Sequence, residues 1–327
     1  YEWLYVRDCI KEVKKKFPHV KVVAGGEHVT ALPDYSLNDC HELDYIVLGE
    51  GEQTWTEIMI KLKDGSQNFS DIPGIVFREN EKIIRTKPRA RIKEIDKIPW
   101  PDWEIIPVEP YLDSATGFGP GSGRNMPMLA SRGCPYECTF CSNPVMYGRR
   151  YEIRSTQCVI DEIKHYIKKY KITGIQFYDL TAIVKKSWVI EFCKALHDNN
   201  LYLDWSLPSG TRSEALDLEV LKALSSVNLK YLVYAPESGS EETLKIIKKK
   251  LKLKNLEQSV KYAVKQGIVV RTNLMIGFPH ETRKQLYQTL LQQIKFALMG
   301  VEDVPAYIFN AYPGTELFNN FVKEGKI

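Results

Sequence analysis

The residues best suited to chemistry are three cysteines within residues 131–142, which read SRGCPYECTFCS. Cys134, Cys138 and Cys141 follow a C-x3-C-x2-C spacing. A structural zinc site takes four ligands, usually from two paired C-x2-C arms, and no second arm follows. A redox pair would use Cys138 and Cys141 and leave Cys134 without a role. Burial as small apolar residues is a poor explanation, because a loop rich in glycine and proline is poor core material.

A 4Fe-4S cluster accounts for the number of cysteines. Such clusters are held by thiolates, and three thiolates leave one iron open to a substrate. The other cysteines are scattered and the total of seven is odd. We therefore expect a reducing, cytoplasmic environment rather than a disulfide framework. The scattered cysteines are Cys9, Cys40, Cys158 and Cys193.

Alternating strands and helices must position this loop. Strands are predicted at 126–131, 174–179, 201–207, 229–235, 269–277 and 303–312, and helices at 156–170, 187–198, 217–225, 241–248, 255–266 and 282–298. This alternation predicts six β/α repeats with parallel strands. Chemistry in parallel barrels lies at the carboxyl ends of the strands. The cysteine loop follows the first predicted strand and should lie at that edge.

The region before the cysteines predicts a separate α/β unit. A helix at 1–17 precedes strand-like runs at 21–25 and 43–52 and a helix from Thr54 to Lys63, which together suggest a parallel βαβ unit. A hairpin at 74–86 should turn near Asn80, residues 98–107 should be irregular, and glycines 117, 119, 121 and 123 suggest a mobile loop. We expect domains at 1–70, 71–125 (hairpin and linker) and 126–327, in a fragment of a longer protein.

Composition argues against two other classes of protein. Hydrophobic residues make up 44% and charged residues 26%, as in ordinary globular domains. The net charge of +4 does not indicate a nucleic-acid-binding protein. The lysine runs 14–16 and 248–250 are interpreted as solvated helix faces. No apolar run is long enough to span a bilayer.

The cysteine motif, with Phe140 before its last cysteine, resembles the radical S-adenosylmethionine (SAM) superfamily over residues 126–318. The stretch YGRRYEIRS (147–155) is similar to the cobalamin-associated branch. The resemblance implies a partial (β/α)6 barrel in which SAM chelates the open iron and Phe140 lies near SAM. One electron would cleave SAM to methionine and a 5′-deoxyadenosyl radical. It also implies a small-molecule substrate and an external flavodoxin- or ferredoxin-like electron donor.

The same resemblance implies SAM contacts on later loops. Glu237 in APESGS would bind the ribose, although it could also be an acidic residue at a helix start. Gly277 in LMIGFPHET would let backbone approach SAM, or be a turn glycine. Arg212 would pair with the SAM carboxylate, or lie on the surface. Asp179 stands where relatives bind the amino group with an acidic motif that is absent here, and Tyr178 could face the site instead.

Two front segments, 22–37 and 43–59, resemble the closing third of a cobalamin-binding domain. Glycines at strand ends of such Rossmann-like units let backbone approach a cofactor. The residues implied are Gly25, Gly26, Gly49 and Gly51, with His28 and Thr30 near the nucleotide tail. The remaining histidines are interpreted as surface or packing residues: His19, His41, His165, His197 and His280.

These features together predict a cobalamin-dependent radical SAM enzyme that transfers a methyl group to an unactivated carbon. One alternative is radical cyclisation or rearrangement, as in tetrapyrrole cyclases. Methylthiolation would need a second cysteine triplet in the front region, which has only Cys9 and Cys40. A non-catalytic metal-binding scaffold would need a fourth zinc ligand and a basic, aromatic surface.

Overall fold

A computed structural model describes residues 2–66, 68–115, 117–120, 123–181 and 183–327. Contacts within the chain define two compact units. The first comprises Tyr1–Lys93, Thr139–Arg150 and Ala311–Ile327, and the second comprises Glu94–Cys138 and Tyr151–Asn310. The expected boundaries after residues 70 and 125 therefore do not coincide with the compact units, because chain-distant segments pack together.

The first unit begins with a helix and a small α/β sheet. In chain order it contains helix α1 (Glu2–Lys16), strand β1 (Val23–Gly25), helices α2 (Glu27–Ala31) and α3 (Pro33–Asp39), strand β2 (Tyr45–Val47), helix α4 (Glu52–Lys63) and strands β3 (Ile75–Glu79) and β4 (Lys82–Arg85). Strands β1 and β2 are parallel, as predicted. The predicted hairpin is also present, with left-handed residues Asn80 and Glu81 at its turn. It extends the front sheet through antiparallel pairing of β2 with β3 instead of belonging to a linker.

The rest of the chain forms the second unit, except for two segments that belong to the first unit, residues 139–150 and 311–327. Its elements are α5 (Val108–Asp113), β5 (Asn125–Met128), β6 (Ser131–Arg132), β7 (Glu152–Ile153), α7 (Thr156–Tyr170), β8 (Gly174–Phe177), α8 (Lys186–Asp198), β9 (Asp204–Thr211), α9 (Leu218–Ser226), β10 (Leu229–Glu237), α10 (Glu241–Ile246), α11 (Leu253–Lys265), β11 (Val269–Ile276), α12 (Arg283–Leu298) and β12 (Ala306–Ile308). These two segments contain α6 (Asn143–Tyr147) and α13 (Glu316–Lys323).

Six parallel strands form the main sheet of the second unit, in the order β12-β11-β10-β9-β8-β5. Adjacent residues of a strand point to opposite faces. Phe177 of β8 packs against Phe192 of α8, so its side of the sheet is covered by helices. Pro127 and Gln176 are paired across β5 and β8 on the opposite side, which we call the inner face. This arrangement confirms the predicted α/β fold with a six-stranded parallel sheet.

Local sequence explains why the helices start where they do. Ser155, Asp217 and Thr315 are N-cap residues whose side chains accept a backbone N–H from the first turn of α7, α9 and α13. Thr282 and Gln285 form a reciprocal capping box at the start of α12.

Residues 98–107 are irregular as expected, apart from a 3-10 turn at Trp103–Ile105. One local expectation was wrong. The lysine run 248–250 is not a helix face, because α10 ends at Ile246 and both Lys248 and Lys250 are left-handed. The middle residue, Lys249, is buried.

The glycine-rich stretch before β5 packs against the sheet in the part that the structure describes. Gly119 has a φ of +81°, and a Cβ added there would lie 2.3 Å from Cγ of Tyr231 on β10. Only glycine fits both the backbone conformation and this close approach. Gly121 lies outside the described residues.

The last segment of the first unit packs beside α2 and α6. The backbone N–H of Leu317 donates to the carbonyl of Thr139 at 3.1 Å. A Cβ added at Gly314 would lie 2.8 Å from Val145 and 3.0 Å from Ala31. Residues 311–327 are therefore an integral part of this unit.

Candidate active site

The cysteine loop is fixed where it leaves the sheet. After β5, residues Ser131 and Arg132 form strand β6, which pairs with β7. Both carboxylate oxygens of Asp179 lie 3.1 Å from the backbone N–H of Ala130, and the Ser131 hydroxyl also donates to this carboxylate. Asp179 follows β8, so it ties the start of the loop to the carboxyl edge of the sheet. Burial raises the pKa of Asp179 to about 6, and the hydrogen bonds oppose that rise.

Two thiols of the motif lie in the second unit, partly buried, beside cationic side chains. Burial raises the pKa of the Cys134 and Cys138 thiols. The positive charges of Lys249 and Arg212 act on both thiols in the opposite direction and favour the thiolate. A pair of buried cations facing two thiols is suited to holding an anionic group.

Arg212 follows β9 and is buried, so the alternative of a surface arginine is wrong. Its guanidinium carbon lies 3.6 Å from the centre of the Tyr136 ring, within the cysteine loop. It also donates to Glu214 at 2.5 Å and to the carbonyl of Lys250 at 2.9 Å. Its Nη1 atom is buried and makes no hydrogen bond to the described residues. A buried donor without a partner is costly unless a ligand meets it.

Glu237, at the end of β10, is buried and left-handed, with a φ of +69°. Lys249 donates to its Oε1 at 2.8 Å. Burial lowers the pKa of Lys249, but the charges of Glu237 and Cys138 outweigh that effect, so its pKa is raised overall and it stays charged. Sequence analysis identified Glu237 but missed Lys249, because a lysine among lysines resembles an exposed run.

Gly277 follows β11 and has a φ of +84°, which favours glycine. Its N–H donates to Glu281 at 2.6 Å, and a Cβ there would meet only Ile308, at 4.0 Å. The turn therefore leaves open space beside the backbone at the carboxyl end of β11.

The donor set of this region fits an iron–sulfur cluster. Among the described residues, no group of three His, Cys, Asp or Glu side chains is arranged to hold a single metal ion. That result is compatible with a cluster, in which each thiolate binds a different iron. Cys141 and Phe140 follow Cys138 in the chain and belong to the first unit, where α6 comes next.

A separate cavity of about 330 Å³ lies in the first unit, at the carboxyl ends of β1 and β2. Its lining includes all of the predicted cobalamin glycines, Gly25, Gly26, Gly49 and Gly51, together with Glu52 and Trp55. A Cβ at Gly26 would meet nothing within 4 Å, and one at Gly25 only ordinary contacts. Side chains at these glycine positions would therefore occupy the cavity, which the glycines leave open.

His28 and Thr30 are not among the residues that line this cavity. The His28 ring stacks on Trp3 at 4.8 Å, and burial lowers its pKa. The Thr30 hydroxyl accepts the N–H of Gly49 at 3.1 Å and so holds the end of β2 against α2. Thr30 thus contacts a lining residue of the cavity, Gly49, whereas His28 packs on helix α1.

Comparison with known proteins identifies the class that this fold and site define. The Radical SAM superfamily model matches residues 128–292, and the B12 binding domain model matches residues 4–59. The chain belongs to the radical SAM superfamily and carries a B12-binding domain, which confirms the predicted family and enzyme class. Membership of the superfamily implies the 4Fe-4S cluster and SAM, and the B12-binding domain supports cobalamin.

Relatives and solved structures agree with this assignment. An uncharacterized methyltransferase of Pyrococcus horikoshii is 32% identical over 92% of this chain and 62% of its own length. The anaerobic magnesium-protoporphyrin IX monomethyl ester cyclase of Rubrivivax gelatinosus is 25% identical over 84% of this chain and 49% of its own. The chain thus spans about half to three fifths of these relatives.

The fold also matches the radical S-adenosylmethionine methyltransferase TsrM from Kitasatospora setae, solved with cobalamin and a 4Fe-4S cluster bound. The TM-score is 0.77 at 18% identity, over 99% of this chain and 61% of that one. Within the described residues, no helix has the length and apolar character needed to cross a membrane.

Proposed function

We propose that the protein is a cobalamin-dependent radical SAM methyltransferase acting on an unactivated carbon of a small molecule. The observation that carries this proposal is the cysteine loop, anchored by Asp179 at the carboxyl edge of a parallel sheet and faced by Arg212 and Lys249. Cys134, Cys138 and Cys141 would hold a 4Fe-4S cluster. When bound, the cluster supplies the electron that cleaves SAM to methionine and a 5′-deoxyadenosyl radical.

The surrounding side chains would bind and orient SAM. The unpartnered Nη1 of Arg212 would donate to the SAM carboxylate, which is the role that the family resemblance implies for this residue. Lys249 occupies Oε1 of Glu237, which leaves Oε2 to accept from the ribose hydroxyls. The open turn at Gly277 supplies backbone, and Phe140 remains a predicted SAM contact. Asp179 is engaged with Ala130 and Ser131, so we assign it mainly to holding the loop.

The glycine-lined cavity would hold part of cobalamin, which supplies the methyl group. Its volume of about 330 Å³ is too small for the whole cofactor but suits one portion, such as the nucleotide tail. Gly25, Gly26, Gly49 and Gly51 would let the backbone approach that portion closely. Thr30 would act by holding Gly49 in place.

The test is anaerobic reconstitution with iron, sulfide and cobalamin, followed by SAM and a flavodoxin or chemical reductant. Iron content and the electron paramagnetic resonance signal report the cluster, and 5′-deoxyadenosine and S-adenosylhomocysteine report the reaction. Cys138→Ala should lose the signal and both products, whereas Cys9→Ala, at an exposed cysteine, should keep them. Tightly held zinc with neither product would refute the proposal.

Radical cyclisation is the second candidate, because a magnesium-protoporphyrin ester cyclase is among the relatives. It predicts 5′-deoxyadenosine without S-adenosylhomocysteine in the same assay. An oxygen-sensitive cluster requires reducing surroundings, which agrees with the cytoplasmic location expected from the cysteine pattern.

A further inference from the structure

Another cavity, partly open to solvent, lies in the second unit beside strands β5 and β8. It has a volume of about 440 Å³, within the usual range for small-molecule sites. One wall is the segment that carries Trp103, Ile106 and Tyr111. The other is the inner face of the sheet, with Pro127 of β5 and Tyr178 just after β8.

The lining is apolar, and none of the described residues that form it is charged. Its two amide side chains, Gln176 and Asn125, already have partners. Gln176 donates to the carbonyl of Phe118 at 2.9 Å and accepts from the Tyr178 hydroxyl at 2.8 Å. Asn125 donates to the carbonyl of Gly123 at 3.1 Å. A charged group placed here would lose its hydration without gaining a counter-ion.

The segment that forms the apolar wall is held firmly on the unit, but some of its large apolar side chains are exposed. Leu112 is buried beneath it, and the Trp103 indole donates to the Tyr166 hydroxyl at 3.0 Å, which fixes the segment on the unit. Nevertheless Tyr111 is 69% exposed and Ile106 is 44% exposed. Large apolar side chains left exposed around a cavity indicate a surface that a ligand covers.

The cavity lies on the two strands, β5 and β8, that lead to the candidate active site. The N–H of Tyr178 donates to the carbonyl of Met128 at 3.0 Å, extending the pairing of β5 and β8. The next residue, Asp179, holds Ala130 and Ser131 at the start of the cysteine loop. An occupant of the cavity would therefore lie along the strands that lead to Cys134.

We propose that this cavity binds the substrate, and that the part of the substrate bound there is uncharged and largely hydrocarbon, because the lining offers aromatic and aliphatic side chains and no charge. The inference rests on the proposed function, because it names the substrate class of that same site. An apolar, water-poor environment also suits an organic radical, which it shields from side reactions.

The test uses two matched probes on the whole chain, neutral 1-pyrenemethanol and anionic pyrene-1-carboxylate, titrated by fluorescence. The neutral probe should bind on the order of tenfold more tightly, because the carboxylate would be desolvated without a partner. Ile106→Glu should weaken binding of the neutral probe on the order of tenfold by the same argument. Ile105→Glu is the matched control, since Ile105 is 80% exposed and does not line the cavity.

The proposal is overturned if both probes bind equally, if the neutral probe does not bind, or if the two glutamate variants behave alike. Tyr111→Ala, at an exposed side chain, repeats the test should Ile106→Glu fail to fold. The probes need neither cluster nor SAM. Selective binding of the neutral probe without 5′-deoxyadenosine formation would therefore refute the proposed function and keep the cavity assignment. Formation of 5′-deoxyadenosine without selective binding of the neutral probe would refute the cavity assignment alone.

Discussion

The ion pair of Lys249 and Glu237 allows a quantitative test of the barrel site. The nitrogen and oxygen are 2.8 Å apart, and the side chains are only 8% and 10% exposed. Lys249→Met keeps an unbranched apolar stem but removes the ammonium. Glu237 then remains as a buried carboxylate without its counter-ion.

Removing one partner of a buried pair typically costs about 3–5 kcal/mol, because the remaining charge loses both water and partner. We expect Lys249→Met to lower the free energy of unfolding by that amount. Lys250→Met is the matched control. Its side chain is 68% exposed and 4.0 Å from Glu137, and such exposed pairs contribute about 1 kcal/mol or less. Adding Glu237→Gln to Lys249→Met should restore much of the loss, because the uncompensated charge disappears.

The assay is urea unfolding of the three variants and the wild type, followed by circular dichroism under reducing conditions. The slope of the unfolding free energy against urea concentration should be similar for all four proteins, so that differences in midpoint report differences in stability. Equal losses for Lys249→Met and Lys250→Met would refute the reasoning, since the pair would then be effectively solvated. A double variant no more stable than Lys249→Met would show that packing rather than charge explains the loss.

Two further predictions concern the loop anchor and the cobalamin cavity. The pKa of Asp179 is raised from 3.8 to about 6 in the folded state, which therefore binds the proton more tightly than the unfolded state. The free energy of unfolding should therefore fall by about 3 kcal/mol as pH rises from about 4 to about 6. Urea unfolding over this pH range measures the fall, which should be absent in Asp179→Asn. A rise in the free energy of unfolding over the same range would contradict the prediction. Gly25→Leu should weaken hydroxocobalamin binding, measured by absorbance titration. The unfolding midpoint should change little, because a Cβ at this position meets its nearest atoms at 3.7 Å and 4.0 Å. Unchanged affinity would contradict the assignment of this cavity to cobalamin.

The regular framework was predictable because hydrophobic periodicity and caps lie within short stretches of sequence. Every predicted barrel strand overlaps an observed one, and α7 has the predicted bounds. Shorter elements were missed. Helices α2 and α3 contain five and seven residues, too few for a periodic pattern to emerge.

The site was predictable where function imposes residue type and spacing, and not where the fold brings distant residues together. Gly25, Gly26, Gly49 and Gly51 were predicted to lie together because glycines at the ends of neighbouring strands leave the backbone open, and all four line one cavity. Arg212 stacks on Tyr136, which lies far away in sequence, so its burial had no local signal. Lys249 points inward because Lys248 and Lys250 adopt left-handed conformations that no neighbouring glycine or proline marks.

The interleaving of the two units has a consequence for synthesis of the protein. The chain passes from one unit to the other after Lys93, Cys138, Arg150 and Asn310. Proteins generally fold domain by domain as the chain leaves the ribosome, amino-terminal domain first. Here the unit that contains residues 2–66 lacks residues 311–327, which pack beside α2 and α6, until all of the barrel sequence has been made. Residues 94–138 and 151–310 of the second unit are therefore all synthesised before the first unit receives residues 311–327.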